Sequence, residues 1–209
     1  MADPVGSGFA DSLARPGKNV TGIAFMDIEL TAKRLDLLRR IVPTLTRIGL
    51  LWNPDGSGAA GADFVTSAAG RIGIQTVAIE VSGAEGLSQA VAKARALGVQ
   101  AVLPMSSTFF NRNRKTLAEA LQSQRMPASC EVGLFVAEGG CLMSYGANYL
   151  VLFARIADFV DRIVKGAKPG ELPIEQPSEF EMVINLKTAQ ALGIVIPNEV
   201  LLQATEVIR

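Results

Sequence analysis

The sequence predicts an α/β fold: a parallel β-sheet with helices on both faces, a three-layer sandwich. Three observations carry this. From residue 47 onward, short apolar runs alternate with helical segments of roughly ten to fifteen residues, the pattern of successive βαβ units. The apolar runs are continuous instead of alternating with polar residues, as strands buried on both faces require. Hydrophobic residues make up 49% of the chain and charged residues 19%, enough to build a core and too apolar for global disorder.

The elements follow in order. Pro16-Gly17 is a turn signal, and 20–25 (VTGIAF) reads as a short strand. Residues 30–42 form an amphipathic helix, with Leu30, Leu35, Leu38 and Val42 on one face and Lys33, Arg34, Arg39 and Arg40 away from it. Thr31 is its expected N-cap and Pro43 its stop. Strands are then expected at 47–52, 76–81, 101–105, 127–131 and 140–146, with helices at 59–72, 84–97 and 111–125 between them. A long helix at 149–165 precedes a stretch punctuated by Pro169, Pro173 and Pro177. A strand at 180–185, a short helix at 186–192 and a helical tail opened by Pro197 complete the chain.

Composition narrows the function. The 209 residues hold 20 Lys+Arg, 20 Asp+Glu and no His, for a net charge of 0. No basic excess is present to hold nucleic-acid phosphates or an anionic membrane. The absence of His removes His-dependent triads and the commonest zinc ligand. Cys130 and Cys141 cannot build a disulfide framework or a four-thiolate metal site; two buried free thiols are the favoured reading, with a bridge left open. Gly56-Ser57-Gly58 lacks the Lys-Ser/Thr end of a phosphate-binding loop. The basic run Arg112, Arg114 and Lys115 reads as a solvated helix face.

Ligands of open parallel sheets bind beyond the carboxyl ends of the strands. Those ends carry Asn53 and Ser57 after 47–52, Ser106, Ser107 and Thr108 after 101–105, Glu131 at the end of 127–131 and Tyr145 in 140–146. Hydroxyls, an amide, one carboxylate and an aromatic ring suit a small polar or zwitterionic solute. They suit catalysis poorly, because no nucleophile has a base beside it. Each residue also has a structural reading. Asn53 to Gly56 is also a turn, the three hydroxyls are also helix caps, Glu131 is also an ion-pair partner for a surface Arg, and Tyr145 is also a core residue at the rim.

An ordered series of segments resembles a known family. It comprises Asp3-Pro4-Val5, 13–22 (LARPGKNVTG), 33–38 (KRLDLL), 47–54, 139–146 (GGCLMSYG), 163–166 (IVKG), Leu172-Pro173, Gln176-Pro177 and 183–189 (VINLKTA). Together these look like the bacterial ABC transporter substrate-binding proteins of the tryptophan-binding-lipoprotein type, along the whole chain. The resemblance implies a two-lobed periplasmic-binding-protein fold that grips its solute in an interlobe cleft, closes about a hinge and docks on a membrane permease. With no His, no Gly-x-Gly-x-x-Gly after a strand and no acid–base pair, neither enzyme activity nor a cofactor is expected.

On that resemblance, 1–28 is a remnant edge of lobe one, 29–146 is a complete lobe two, and 147–209 is a returning helix and tail that crosses the hinge. About one lobe's worth of chain, on the order of a hundred residues, is expected to be missing ahead of Asp3. The helix at 149–165 is then expected to expose Leu150, Leu152, Phe153, Ile156, Phe159, Val160 and Ile163 and to drive homo-oligomerisation. The carried-over ligand contacts are Asn53, Ser57, Ser106, Ser107, Thr108, Glu131 and Tyr145. Asn53 would bond a polar group, the hydroxyls a carboxylate, Glu131 an ammonium, and Tyr145 would line the hinge side. The resemblance places the family in the periplasm or on a lipid anchor. The chain shows no secretion signal, which would leave it cytoplasmic if it is the natural product. Two other readings are a self-associating fragment with no transport role and an enzyme on an α/β sheet.

Overall fold

The computed structural model describes residues 4–54 and 58–209. The chain divides into two compact units, one from Met1–Asp27 with Ala147–Phe180, the other from Ile28–Gly146 with Glu181–Arg209.

The larger unit is built on strands in the expected alternation. Helix α1 (Asp27–Ile41) leads into β1 (Arg47–Trp52), α2 (Gly58–Arg71), β2 (Gln75–Glu80), α3 (Gly86–Ala96) and β3 (Ala101–Pro104). The next elements are α4 (Thr108–Arg112), α5 (Arg114–Ser123), β4 (Ser129–Cys130), α6 (Gly133–Ala137) and β5 (Met143–Ala147). Strand β1 is central in the order β2-β1-β3, parallel to both neighbours, with Leu50 opposite Ala78 on one side and Leu103 on the other. A parallel bridge from Val102 to Ala128 carries the sheet on to β4, which pairs parallel with β5.

The period of two along each strand sorts the core into two layers. Ile48, Leu50, Ala101 and Leu103 face one side, against Leu35, Leu38 and Ile41 of α1 and Val65 and Ala69 of α2. Leu51 and Val102 face the other, against Leu87 and Val91 of α3, Leu117 and Leu121 of α5 and Phe135 of α6. This is the three-layer α/β sandwich with a parallel sheet.

The last stretch completes the same unit. Strand β6 (Phe180–Asn185) lies between β5 and β7 (Glu206–Ile208), with helices α8 (Leu186–Leu192) and α9 (Asn198–Leu201) between β6 and β7. Ile184, Ala189, Ile196 and Val200 are buried in the α1/α2 layer of the core. Asn185 caps α8, its Oδ1 accepting from Thr188 N at 3.0 Å, and Gly193 ends the helix at φ 71°.

The smaller unit holds α7 (Tyr149–Val164). Asn148 caps it, accepting from the backbone N–H groups of Leu150 and Val151 at 3.0 and 3.2 Å. Arg155 of α7 forks onto Glu175, Nε to Oε2 at 2.6 Å and Nη2 to Oε1 at 2.5 Å, and Glu175 forms a parallel bridge with Ile23.

Several expectations are corrected. The expected strand 20–25 is only the Ile23–Glu175 bridge; Gly22 at φ 135° breaks the extended run. Helix α1 starts before Thr31, which is buried inside it and accepts from Arg34 Nη2 instead of capping. Arg34, expected on the polar face, is 1% exposed. The expected helix 111–125 begins at Thr108 and breaks at Asn113, whose side chain donates to Phe109 O at 2.9 Å. On α7, Leu152 and Phe159 are not exposed: they pack with Ile23, Ala147 and Leu172, while Leu150, Phe153 and Val160 remain 81%, 65% and 55% exposed. Cys130 and Cys141 are not free thiols but form a disulfide, the short α6 loop returning the chain so that their Cα atoms lie 6.1 Å apart.

Candidate functional site

Because β1, β3, β4 and β5 run parallel, their carboxyl ends share one edge of the larger unit. Asn53 follows β1 and is 4% exposed. Its Nδ2 donates to the Val81 carbonyl at 2.6 Å, tying the exit of β1 to that of β2. Ser57 lies outside the described residues.

Past β3, Ser106 is half-buried, Ser107 buried and Thr108 exposed. Ser107 has an extended backbone, and its Oγ accepts from Phe109 N at 3.1 Å, so this hydroxyl caps α4. Thr108 opens the same helix.

Glu131, directly after β4, is 8% exposed. Its Oε1 accepts from Asn111 Nδ2 at 3.1 Å, and that Nδ2 also lies 3.4 Å from the Ser107 carbonyl. Ser107, Asn111 and Glu131 thus form one connected group linking the exits of β3 and β4. On β5, Tyr145 is half-buried, its ring packed on the α1/α2 layer, and its carbonyl accepts from Arg34 Nη1 at 3.1 Å. Gly146 lets β5 approach Glu131 closely: a Cβ there would stand 1.9 Å from the Glu131 carbonyl oxygen.

The expected residues therefore share one edge in different ways. Ser107 and Glu131 are joined through Asn111, Tyr145 and Gly146 sit on the strand beside Glu131, and Asn53 is tied to Val81. Asn111 and Arg34 were missed by sequence reasoning. Asn111 lies four residues after Ser107 on a helical repeat, a spacing that signals a shared face. Arg34 has no such signal, because an Arg on an amphipathic helix reads as solvated. Among the described residues, no group of three or more His, Cys, Asp or Glu side chains could hold a metal ion. The edge offers one buried carboxylate, amides, hydroxyls and an aromatic ring, a set for holding a polar solute.

The family model described as "ABC transporter substrate binding protein" matches residues 1–208. The chain belongs to that family. A similar curated protein is the tyrosine-binding protein of Clostridioides difficile (strain R20291), 23% identical over 195 residues, covering 92% of this chain and 55% of that protein. Two solved structures are each 26% identical with a TM-score of 0.89, covering 99% of this chain and 69% of theirs. One is a conserved domain protein from Vibrio cholerae O1 biovar El Tor; the other is an ABC domain in complex with L-Trp from Streptococcus pneumoniae. The family consists of substrate-binding proteins, and the chain spans about half the length of the curated relative it matches. Among the described residues, no helix is long and apolar enough to cross a membrane.

Proposed function

We propose that this chain is part of the receptor of an ABC importer and that its strand-end edge binds a small amino-acid-like solute. Asn53, Ser57, Ser106, Ser107, Thr108, Glu131 and Tyr145 supply the contacts from this lobe. The edge forms one wall of a cleft whose opposite wall belongs to a second lobe. The observation that carries the reading is Glu131. A carboxylate this buried, oriented by an amide from the neighbouring strand exit, suits a ligand ammonium. The proteins it resembles include one named for tyrosine binding and one solved with L-Trp.

Contacts from this edge alone hold an amino acid weakly, because a solute held by half of its contacts keeps a fraction of the free energy. The receptor works outside the cytoplasm and delivers its solute to a permease. The Cys130–Cys141 disulfide supports that compartment, since such bridges persist in oxidising surroundings. The test is an NMR titration of the chain with L-tyrosine and L-tryptophan. Saturable shifts at Asn53, Ser106 and Glu131, abolished in Glu131→Gln, support the proposal. Tight binding by this chain alone, or no shift at the edge, overturns it.

A second reading concerns assembly. Leu150, Phe153, Val160 and Val164 of α7 are 81%, 65%, 55% and 81% exposed, a large apolar strip for a surface in water. We propose that it drives self-association of this chain. Light scattering at micromolar concentration should give a mass above the monomer's, reverting in a Phe153→Asp/Val160→Asp variant; a stable monomer refutes it.

A further inference from the structure

A cavity of ≈ 480 Å³ opens in the larger unit, away from the proposed solute edge. Its wall includes Leu121, Arg125 and Met126, which precede β4, and Gly139 and Gly140, which precede β5. It therefore lies at the amino ends of those strands, while Glu131 and Tyr145 lie at their carboxyl ends. Glu131 lies five positions beyond Met126, about 16 Å of extended chain, so the cavity is not an extension of the edge.

Its volume falls within the range of small-molecule sites (about 300–1,000 Å³). The apolar wall is formed by Leu121, Met126, Leu192 and Ile208. Much of the polar wall is already committed. Asn185 donates from Nδ2 to Val136 O at 3.0 Å and accepts from Thr188 N at 3.0 Å. Gln122 donates to Gly139 O at 3.0 Å. Glu138, the carboxylate in the wall, is paired through Oε1 with Arg114 Nε at 3.0 Å, which offsets its charge, while its buried Oε2 has no hydrogen-bond partner among the described residues.

Two cations remain. Arg125 Nη2 donates to the Ala191 carbonyl at 2.7 Å, which fixes the guanidinium across the cavity without neutralising it. Lys187 is exposed and makes no ion pair among the described residues. An apolar chamber with uncancelled positive charge selects for a ligand with an apolar body and one negative end.

We propose that this cavity is a second ligand site, taking a small amphipathic monoanion such as an aryl carboxylate. The apolar body lies against Leu121, Met126, Leu192 and Ile208, and the carboxylate is held by Lys187 and Arg125. The site stands independently of the solute reading of the opposite edge.

The probe is benzoate, with neutral benzamide as its isostere, titrated into the 209-residue chain and followed by amide NMR. Benzoate should give saturable shifts at Gly139, Thr188 and Ala191. Its affinity should fall about fivefold in Lys187→Gln, the scale of one exposed charge contact, and stay unchanged in Glu131→Gln. Arg125 sits at φ 47°, so Arg125→Gly removes its charge without backbone strain and should weaken binding likewise. Benzamide should bind less tightly than benzoate. Absence of shifts up to the solubility limit, shifts confined to the Glu131 edge, or equal affinity for benzamide each overturns the proposal.

Discussion

Gly146 and Glu131 meet backbone to backbone: a methyl group on residue 146 would overlap the Glu131 carbonyl oxygen, at 1.9 Å. Gly146→Ala should therefore push β5 away from the chain at Glu131. Overpacking of this kind costs about 1–3 kcal/mol. Urea unfolding should show a lower midpoint with an unchanged slope, and the Glu131 amide resonance should shift.

Arg34 places a cation in the interior, donating to Tyr145 O at 3.1 Å and to the Thr31 hydroxyl. Arg34→Met strips both oxygens of a charged donor and should cost about 1.5–3 kcal/mol. Arg34→Lys should recover only part, because an ammonium lacks the planar fork that reaches both oxygens at once. Thermal melts of the three proteins rank the outcome.

The Arg155 guanidinium, bonded twice to Glu175, holds that carboxyl below its ordinary value of 4.5. A carboxylate with a depressed folded-state pKa contributes fully above its unfolded value, and the contribution disappears as pH falls through the folded one. Wild-type protein should lose stability below about pH 4.5 more steeply than Glu175→Gln, and the two should run parallel above it. Melting temperatures measured from pH 7 to pH 3 decide this.

The Cys130–Cys141 bridge closes a loop with a sequence separation of 11. The chain-entropy account assigns such a loop about 3 kcal/mol. Native protein should react with no thiol reagent, unfolded reduced protein should react twice, and Cys130→Ala/Cys141→Ala should unfold at lower denaturant.

What was legible in the sequence follows from where each signal resides. Strand β1 at Arg47–Trp52 and helix α8 at Leu186–Leu192 fall where expected, since apolar runs and cap residues are local. Strand β7 spans Glu206–Ile208 and exists only because β6 offers it an edge; three residues carry no periodicity of their own. The strand-end edge was legible, because sheet topology decides which residues share it. The partners within it were not. Asn111 meets Glu131, twenty positions on, and Arg34 meets the Tyr145 carbonyl, 111 positions on, contacts that depend on how distant segments pack and leave no local pattern. The same limit applies to the cysteines, whose pairing depends on how the α6 loop returns.

The core contributions of Ile184, Ala189, Ile196 and Val200 bear on biosynthesis. The sheet begun at Arg47 cannot seal one of its faces until residues 181–209 emerge from the ribosome. Until then the nascent polypeptide carries a half-covered layer of Leu35, Leu38 and Leu50. A chaperone that shelters greasy, unfinished surfaces during translation is the natural guardian of that interval.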